Sequence, residues 1–200
     1  MTGNSELKIG GMLLAAGGSS RLGQPKQLLQ VQGKTLLRRA AETLAGSACE
    51  PIVVVLGAET EQSRAEIADL HVQVVINNDW KSGMSSSIKT GLAVLLIDGP
   101  ALDALVITLC DQPNVISGDI DALCKAFRMH QTPIVAADYG DFAGVPALFS
   151  FELFNDLLEL AGDKGARDLI RVRSKNVTRI KLELAAIDID TPDDLKWLVI

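Results

Sequence analysis

The segment Leu14-Ala15-Ala16-Gly17-Gly18-Ser19-Ser20-Arg21-Leu22-Gly23-Gln24-Pro25-Lys26 continues an apolar run at 9–16. Its glycines permit close backbone approach and several N–H groups aimed at one anion, and Arg21 and Lys26 add cations for phosphate oxygens. The chemistry this suggests is polyphosphate binding. A P-loop would need Lys and then Ser or Thr directly after Gly23, where Gln24-Pro25 stands. The spacing of Gly17, Gly18 and Gly23 is not GxGxxG, so hydride transfer from a dinucleotide is disfavoured as well. Glycine and serine alone would describe a flexible strand-to-helix turn; the two cations shift the reading toward phosphate.

Acidic residues supply the complementary chemistry. Asp111 directly follows the apolar run 105–110 and precedes Gln112-Pro113, where a carboxylate leaves a strand end and suits Mg²⁺ bridging phosphates. The same aspartate reads equally well as a turn residue capping local N–H groups. Asp188 and Asp190 alternate along an expected last strand at 186–189 and its end, with Asp190 the better placed. Asp193 and Asp194 follow Pro192 in the first turn of an expected closing helix, where the helix dipole accounts for them. Gly83-Met84-Ser85-Ser86-Ser87 opens another helix, whose hydroxyls and unpaired N–H groups could read a ribose or a pyrimidine edge, or serve only as a cap.

These residues need a scaffold that brings strand ends together, and the sequence describes one. Apolar runs at 9–16, 52–56, 72–76 and 105–110 alternate with helical periodicity at 36–45, 60–68, 86–96 and 117–130. Strands buried on both faces and separated by helices predict a three-layer α/β fold around a mostly parallel sheet, with ligands at its carboxyl edge. Beyond Pro133 the pattern predicts a hairpin-like excursion, 134–137 and 142–149 about a turn at 138–141, building a second, acceptor-side lobe. Helices near 151–160 and 166–172 and a strand at 177–182 follow. With no repeat, linker or low-complexity segment, 1–200 is expected to be a single domain, 1–115 mainly nucleotide-binding and 116–200 mainly acceptor-binding.

Composition bounds the partners. The 200 residues are 48% hydrophobic and carry a net charge of −6, which supports a packed core and disfavours duplex nucleic acid or an acidic membrane. The stretch 91–110 is broken by Asp98, Gly99, Pro100 and Asp103, so no membrane span is expected. Glu6 precedes the first apolar run, and a polar loop follows it, so no secretion signal is expected either. Cys49, Cys110 and Cys124, odd in number and without CxxC spacing, fit reduced thiols in a cytoplasmic compartment, with Cys110 in the core.

The thirteen residues 14–26 closely resemble the LAAGxSxRxGxPK signature of the nucleotidyltransferases that include the molybdenum cofactor cytidylyl- and guanylyltransferases. Further similar segments are Asn78-Asp79-Trp80-Lys81-Ser82-Gly83-Met84-Ser85-Ser86-Ser87, Asp111-Gln112-Pro113, 144–149, 162–167 and 188–194, so the likeness spans essentially the whole chain. The resemblance implies a Rossmann-like nucleotidyltransferase fold with a mixed sheet. In its terms Leu14, Ala15, Ala16, Gly17, Gly18 and Ser19 wrap a nucleoside triphosphate, Arg21 contacts its phosphates, and Lys26 stabilises charge at the α-phosphorus. Gly83 and Ser87 contact the nucleotide, Asp111 and Asp190 hold Mg²⁺ with Asp188 in reserve, and Trp80 packs. Lys164 and Arg167 are candidates for an acceptor phosphate, or for a solvated helix start. Alanine at 16, where guanylyl-transferring relatives commonly have glycine, leans toward CTP over GTP. The implied acceptor is molybdopterin, or the molybdenum cofactor, for a recipient molybdoenzyme. Val145, where many relatives carry histidine, leaves the acceptor open to a sugar or alcohol phosphate. A non-catalytic cofactor carrier is the alternative from another class.

Overall fold

The computed structural model describes residues 7–18, 25–97, 101–189 and 194. Nine strands are present among them: β1 (Ile9–Ala15), β2 (Gln30–Val31), β3 (Lys34–Thr35), β4 (Ile52–Leu56), β5 (Gln73–Ile76), β6 (Ala104–Leu109), β7 (Ile134–Asp138), β8 (Ala143–Ser150) and β9 (Val177–Lys181). The α-helices are α1 (Leu36–Ala45), α2 (Thr60–Glu66), α3 (Met84–Ile97), α4 (Ser117–His130), α5 (Phe154–Glu159) and α6 (Ala166–Val172). Seven strands form one sheet in the order β5-β4-β1-β6-β8-β7-β9, and β2 and β3 pair separately.

Side chains alternate across β1 and divide the core into two layers. Leu13 and Ala15 face one cluster with Leu37 and Leu44 of α1 and Ile120, Leu123 and Phe127 of α4. Met12 and Leu14 face another with Ile88, Leu92 and Leu95 of α3, Leu157 of α5 and Leu169 of α6. Helices therefore cover both faces, as the alternation predicted. Gly91 lets α3 sit close to the sheet, since a Cβ there would stand 2.8 Å from both Met12 Cε and Val55 Cγ2.

Three expectations are corrected. The hairpin at 134–150 builds no separate lobe: β8 pairs antiparallel with both β6 and β7, and β9 runs parallel to β7, so the excursion extends the same sheet. The segment 72–76 is a half-exposed edge strand rather than a buried one, because β4 is its only neighbour in the sheet. Residues 186–189 form no strand. A 3₁₀ turn, Glu183–Ala186, ends there, and Ile189 N–H donates to the Asp111 carbonyl at 2.9 Å.

The strand order positions the site. From β1 the chain winds outward to β4 and β5, then returns to place β6 on the opposite side of β1. Parallel neighbours whose connections leave in opposite directions open a crevice at their carboxyl ends. The register pairs Leu14 with Leu109, so the glycine loop and Asp111 emerge side by side.

Candidate active site

A cavity of about 560 Å³ occupies that crevice, lined by Leu14, Ala15, Ala16, Gly17, Gly18 and Lys26 from the loop side and by Cys110 and Asp111 from the end of β6. A 3₁₀ turn at Lys26–Leu28 places Lys26 over the cavity, and the Lys26 ammonium donates to Asp111 Oδ2 at 2.8 Å. The two side chains are 15% and 23% exposed, so one cation and one carboxylate from 85 positions apart form a partly solvated pair. Asp111 Oδ1 is buried and has no hydrogen-bond partner. A carboxylate with one oxygen on a lysine and the other unsatisfied fits a hard cation that accepts oxygen ligands. Among the described residues there is no cluster of three His, Cys, Asp or Glu side chains that could hold a metal ion.

Gln27, 1% exposed, fixes the loop's far end by donating from Nε2 to the Ala58 carbonyl at 3.1 Å. Ala58 N–H in turn donates to the Ala16 carbonyl at 3.1 Å. Both ends of the loop are thus tied to the segment after β4. Ser19 and Arg21 lie outside the described residues, as does Asp190.

Gly83 and Ser87 border the same cavity. Ser87 is 5% exposed, and its Oγ accepts from Asn77 Nδ2 at 2.9 Å, which orients the hydroxyl. Two of the N–H groups expected to be open at this helix start are paired: Ser85 N–H donates to the Gly162 carbonyl at 3.2 Å and Ser86 N–H to the Gly83 carbonyl. The hydroxyl of Ser87 is what this end offers a ligand in their place. Gly83 adopts φ +109°, and a Cβ there would stand 2.3 Å from the Gly162 oxygen. Gly83→Ala is expected to cost about 2–4 kcal/mol by combining backbone strain with a clash against main chain, measured as a drop in urea midpoint at constant m-value.

Two residues that sequence reasoning did not place in the site line this cavity. Trp80 follows β5 on a 3₁₀ turn. Asp163 lies on the turn that packs against Gly83. Lys164 is exposed and lines neither cavity.

A second cavity of about 230 Å³ adjoins the first, sharing Leu14, Met84 and Leu109. Its polar groups are Gln112, Tyr139, Arg167 and Asp188, and Phe142 and Val145 contribute apolar surface. Arg167 lies over the Phe142 ring, 4.2 Å from its centroid. Gln112, 5% exposed, ties this wall together: Nε2 donates to the carbonyls of Val145 and Ala185, both at 2.9 Å, and to Tyr139 Oη at 3.2 Å. The Tyr139 hydroxyl donates to the Val145 carbonyl. Burial pushes the Tyr139 hydroxyl well above its ordinary pKa, against the opposing hydrogen bond from Gln112, and the charges of Asp188 and Asp111 add to the rise.

Cys110 packs against the core, as expected, and also stands on the cavity wall, where burial and then the charge of Asp111 push its thiol up to about 12. The thiol form contributes stability fully present below the unfolded pKa of about 8.5 and lost as pH rises through the folded value. Folded protein at pH 8 is therefore expected to resist alkylation at Cys110 by iodoacetamide, with rapid modification after unfolding, read by mass spectrometry.

A family model described as the MobA-like NTP transferase domain matches residues 11–179. The chain belongs to this family. It is therefore an enzyme of the nucleotidyltransferase kind, with the α/β mixed sheet of that fold. Among MobA-like relatives, nicotine blue oxidoreductase from Paenarthrobacter nicotinovorans is 33% identical over 202 residues, covering 96% of both chains. Molybdenum cofactor cytidylyltransferase from Escherichia coli is 23% identical over 92% of this chain and 91% of its own. The solved structure of Rv0371c from Mycobacterium tuberculosis superposes with a TM-score of 0.83 at 29% identity, covering 96% and 97% of the two chains. A complex of Rv0371c with manganese superposes with a TM-score of 0.78 at 28% identity, covering 94% and 96%.

Proposed function

We propose that this MobA-like enzyme transfers CMP from CTP to the terminal phosphate of molybdopterin or the molybdenum cofactor, releasing pyrophosphate, with Mg²⁺ as the divalent ion. The observation that carries the reading is the Lys26–Asp111 pair, set beside the glycine loop in a cavity that opens onto a second one. Two adjoining cavities suit two substrates, and a cation on the wall of the first suits phosphoryl chemistry.

Leu14 through Ser19 would wrap the triphosphate, with Gly83 and Ser87 holding the nucleoside. The acceptor would occupy the second cavity with its phosphate toward Arg167, whereas Lys164, outside both cavities, would meet an acceptor only beyond that wall. An acceptor phosphate is anionic at neutral pH, so an oxygen of it attacks the α-phosphorus without a protein base, and the bond to the β-phosphate bridging oxygen breaks as pyrophosphate leaves. Lys26 Nζ would stabilise the charge on the transferring group, and Arg21 that on pyrophosphate. Asp111 with Asp190, or Asp188 in its place, would hold the divalent ion, which when bound neutralises phosphate charge that the carboxylates would otherwise repel. Ile189 N–H on the Asp111 carbonyl keeps the segment of Asp188 beside Asp111. The division into nucleotide and acceptor halves is part of this proposal, although Asp163 reaches the first cavity from the second half.

Ala16, 4% exposed on the first cavity's wall, supports the leaning toward cytidine. The experiment is pyrophosphate release with each of CTP, GTP, ATP and UTP, with and without Mg²⁺ or Mn²⁺, against molybdopterin and a panel of sugar and alcohol phosphates. Turnover with CTP, divalent ion and molybdopterin supports the proposal. Turnover only with another nucleotide or acceptor retains the reaction and changes its substrate, and binding without turnover points to a carrier. A second reading, oxidoreductase activity, is favoured by the 33% identity to the relative named nicotine blue oxidoreductase. Oxidation of NADH or NADPH in the same assay would establish it. Cytoplasmic residence, with a molybdoenzyme as recipient, belongs to the same proposal; among the described residues no helix is long and apolar enough to cross a membrane.

A further inference from the structure

We infer that Trp80 is a positioning residue for the phosphate-binding loop: its indole is the seat on which Gly18 rests. A Cβ built on Gly18 would stand 2.6 Å from Trp80 Cη2 and 2.8 Å from Cζ3, far inside ordinary contact of about 3.5 Å. Gly18 has no left-handed φ, so glycine is required here for space and not for backbone freedom. The root of the same side chain is equally confined, because a Cβ on Gly57 would stand 2.8 Å from Trp80 Cβ and 2.6 Å from the Ala16 carbonyl oxygen.

The tryptophan is therefore wedged between the segment after β4 and the first turn of the loop. Lys81 Nζ lies 5.4 Å from the ring centroid. With Gln27 hooked to Ala58 at the other end, Trp80 fixes where the loop leaves the sheet, and so where its amides meet a ligand relative to Lys26 and Asp111. This inference rests on the proposed triphosphate site.

The two atoms that would clash belong to the outer ring of the indole, which phenylalanine lacks at the same reach. That allows an allele-specific test with full-length protein: Gly18→Ala, Trp80→Phe, Trp80→Ala and the double variant Gly18→Ala/Trp80→Phe, each measured for CTP binding with Mg²⁺, for kcat and KM, and for melting temperature without nucleotide. Gly18→Ala is expected to weaken CTP binding about tenfold or more and to lower the melting temperature. The double variant should return both to within about threefold and a few degrees of Trp80→Phe alone. Trp80→Ala should lower kcat as well as raise KM while the folded fraction holds, because a loosened loop misplaces the triphosphate against Lys26, and Trp80→Phe should preserve most of kcat.

A double variant as defective as Gly18→Ala overturns the inference, since the alanine would then be clashing with ligand or strain elsewhere. Loss of CTP binding in Trp80→Phe with no rescue in the double variant overturns it too, and makes the indole a stacking surface for the base. Rescue of melting temperature in a protein that binds no nucleoside triphosphate supports the packing relation and overturns the functional reading on which its role depends.

Discussion

Replacing Lys26 with alanine is expected to lower kcat/KM by about 10³-fold, the loss typical of removing one preorganised charge donor from a water-poor site. The ammonium lines the first cavity and its side chain is 15% exposed, so its field is less screened than that of a surface lysine. Its stability role is small by comparison. The ion pair with Asp111 is partly solvated, and such pairs contribute about 1 kcal/mol or less. Lys26→Ala should therefore melt within a few degrees of wild type. Lys26→Arg should recover little, because a planar fork on a longer stem does not reproduce a compact ammonium at the same point. Steady-state pyrophosphate release and thermal melts on the same preparations check both statements. A turnover within tenfold of wild type would remove Lys26 from the chemistry.

The features legible in the sequence share one property: each is local. The glycine loop could be read because strand, turn glycines and cations all fall within residues 9–26, and Asp111 because an apolar run ends beside it at Pro113. What brings Lys26 and Asp111 together is also partly local, since adjacent parallel strands deliver their carboxyl ends to one edge. The roles of Gln27, Trp80 and Asp163 were not legible. Each depends on a contact between distant segments: Gln27 with Ala58, Trp80 with Gly18, and the turn of Asp163 with Gly83. Gly162 adopts φ +61°, and a turn of that shape decides which neighbour, Asp163 or Lys164, points inward. Residue type alone does not specify it.

The misread strand at 186–189 has the same cause. Its short apolar run has strand composition, but strands require a partner edge, and the Ala185 carbonyl is already taken by Gln112. The Gln112 amide ties Ala185, Val145 and Tyr139 together, and the Ile189 N–H goes to the Asp111 carbonyl, which holds the segment of Asp188 beside Asp111. The hairpin was misplaced for a related reason. The burial of β8 on both faces is a property of a central strand, and its apolar content is equally consistent with a separate lobe until its partner β6 is known.

Asp111→Asn is expected to abolish turnover, by about 10³-fold or more, while leaving the fold as stable as before. Two effects on stability oppose each other. The variant loses the charge of the pair with Lys26, about 1 kcal/mol at this exposure. It also replaces a buried carboxylate oxygen that lacks any hydrogen bond, an arrangement that costs about 1–3 kcal/mol. The divalent ion separates this account from simple loss of a structural carboxylate. Wild type should gain stability with Mg²⁺ or Mn²⁺, about 2.7 kcal/mol at a hundredfold excess over Kd, because the ion satisfies Asp111 Oδ1. Asp111→Asn should show little of that gain, and nucleotide added with the metal should not restore it. Melting curves in ethylenediaminetetraacetate, in metal alone and in metal with CTP provide the test. Equal metal-induced shifts in the two proteins would mean that the ion binds elsewhere and that Asp111 serves the fold.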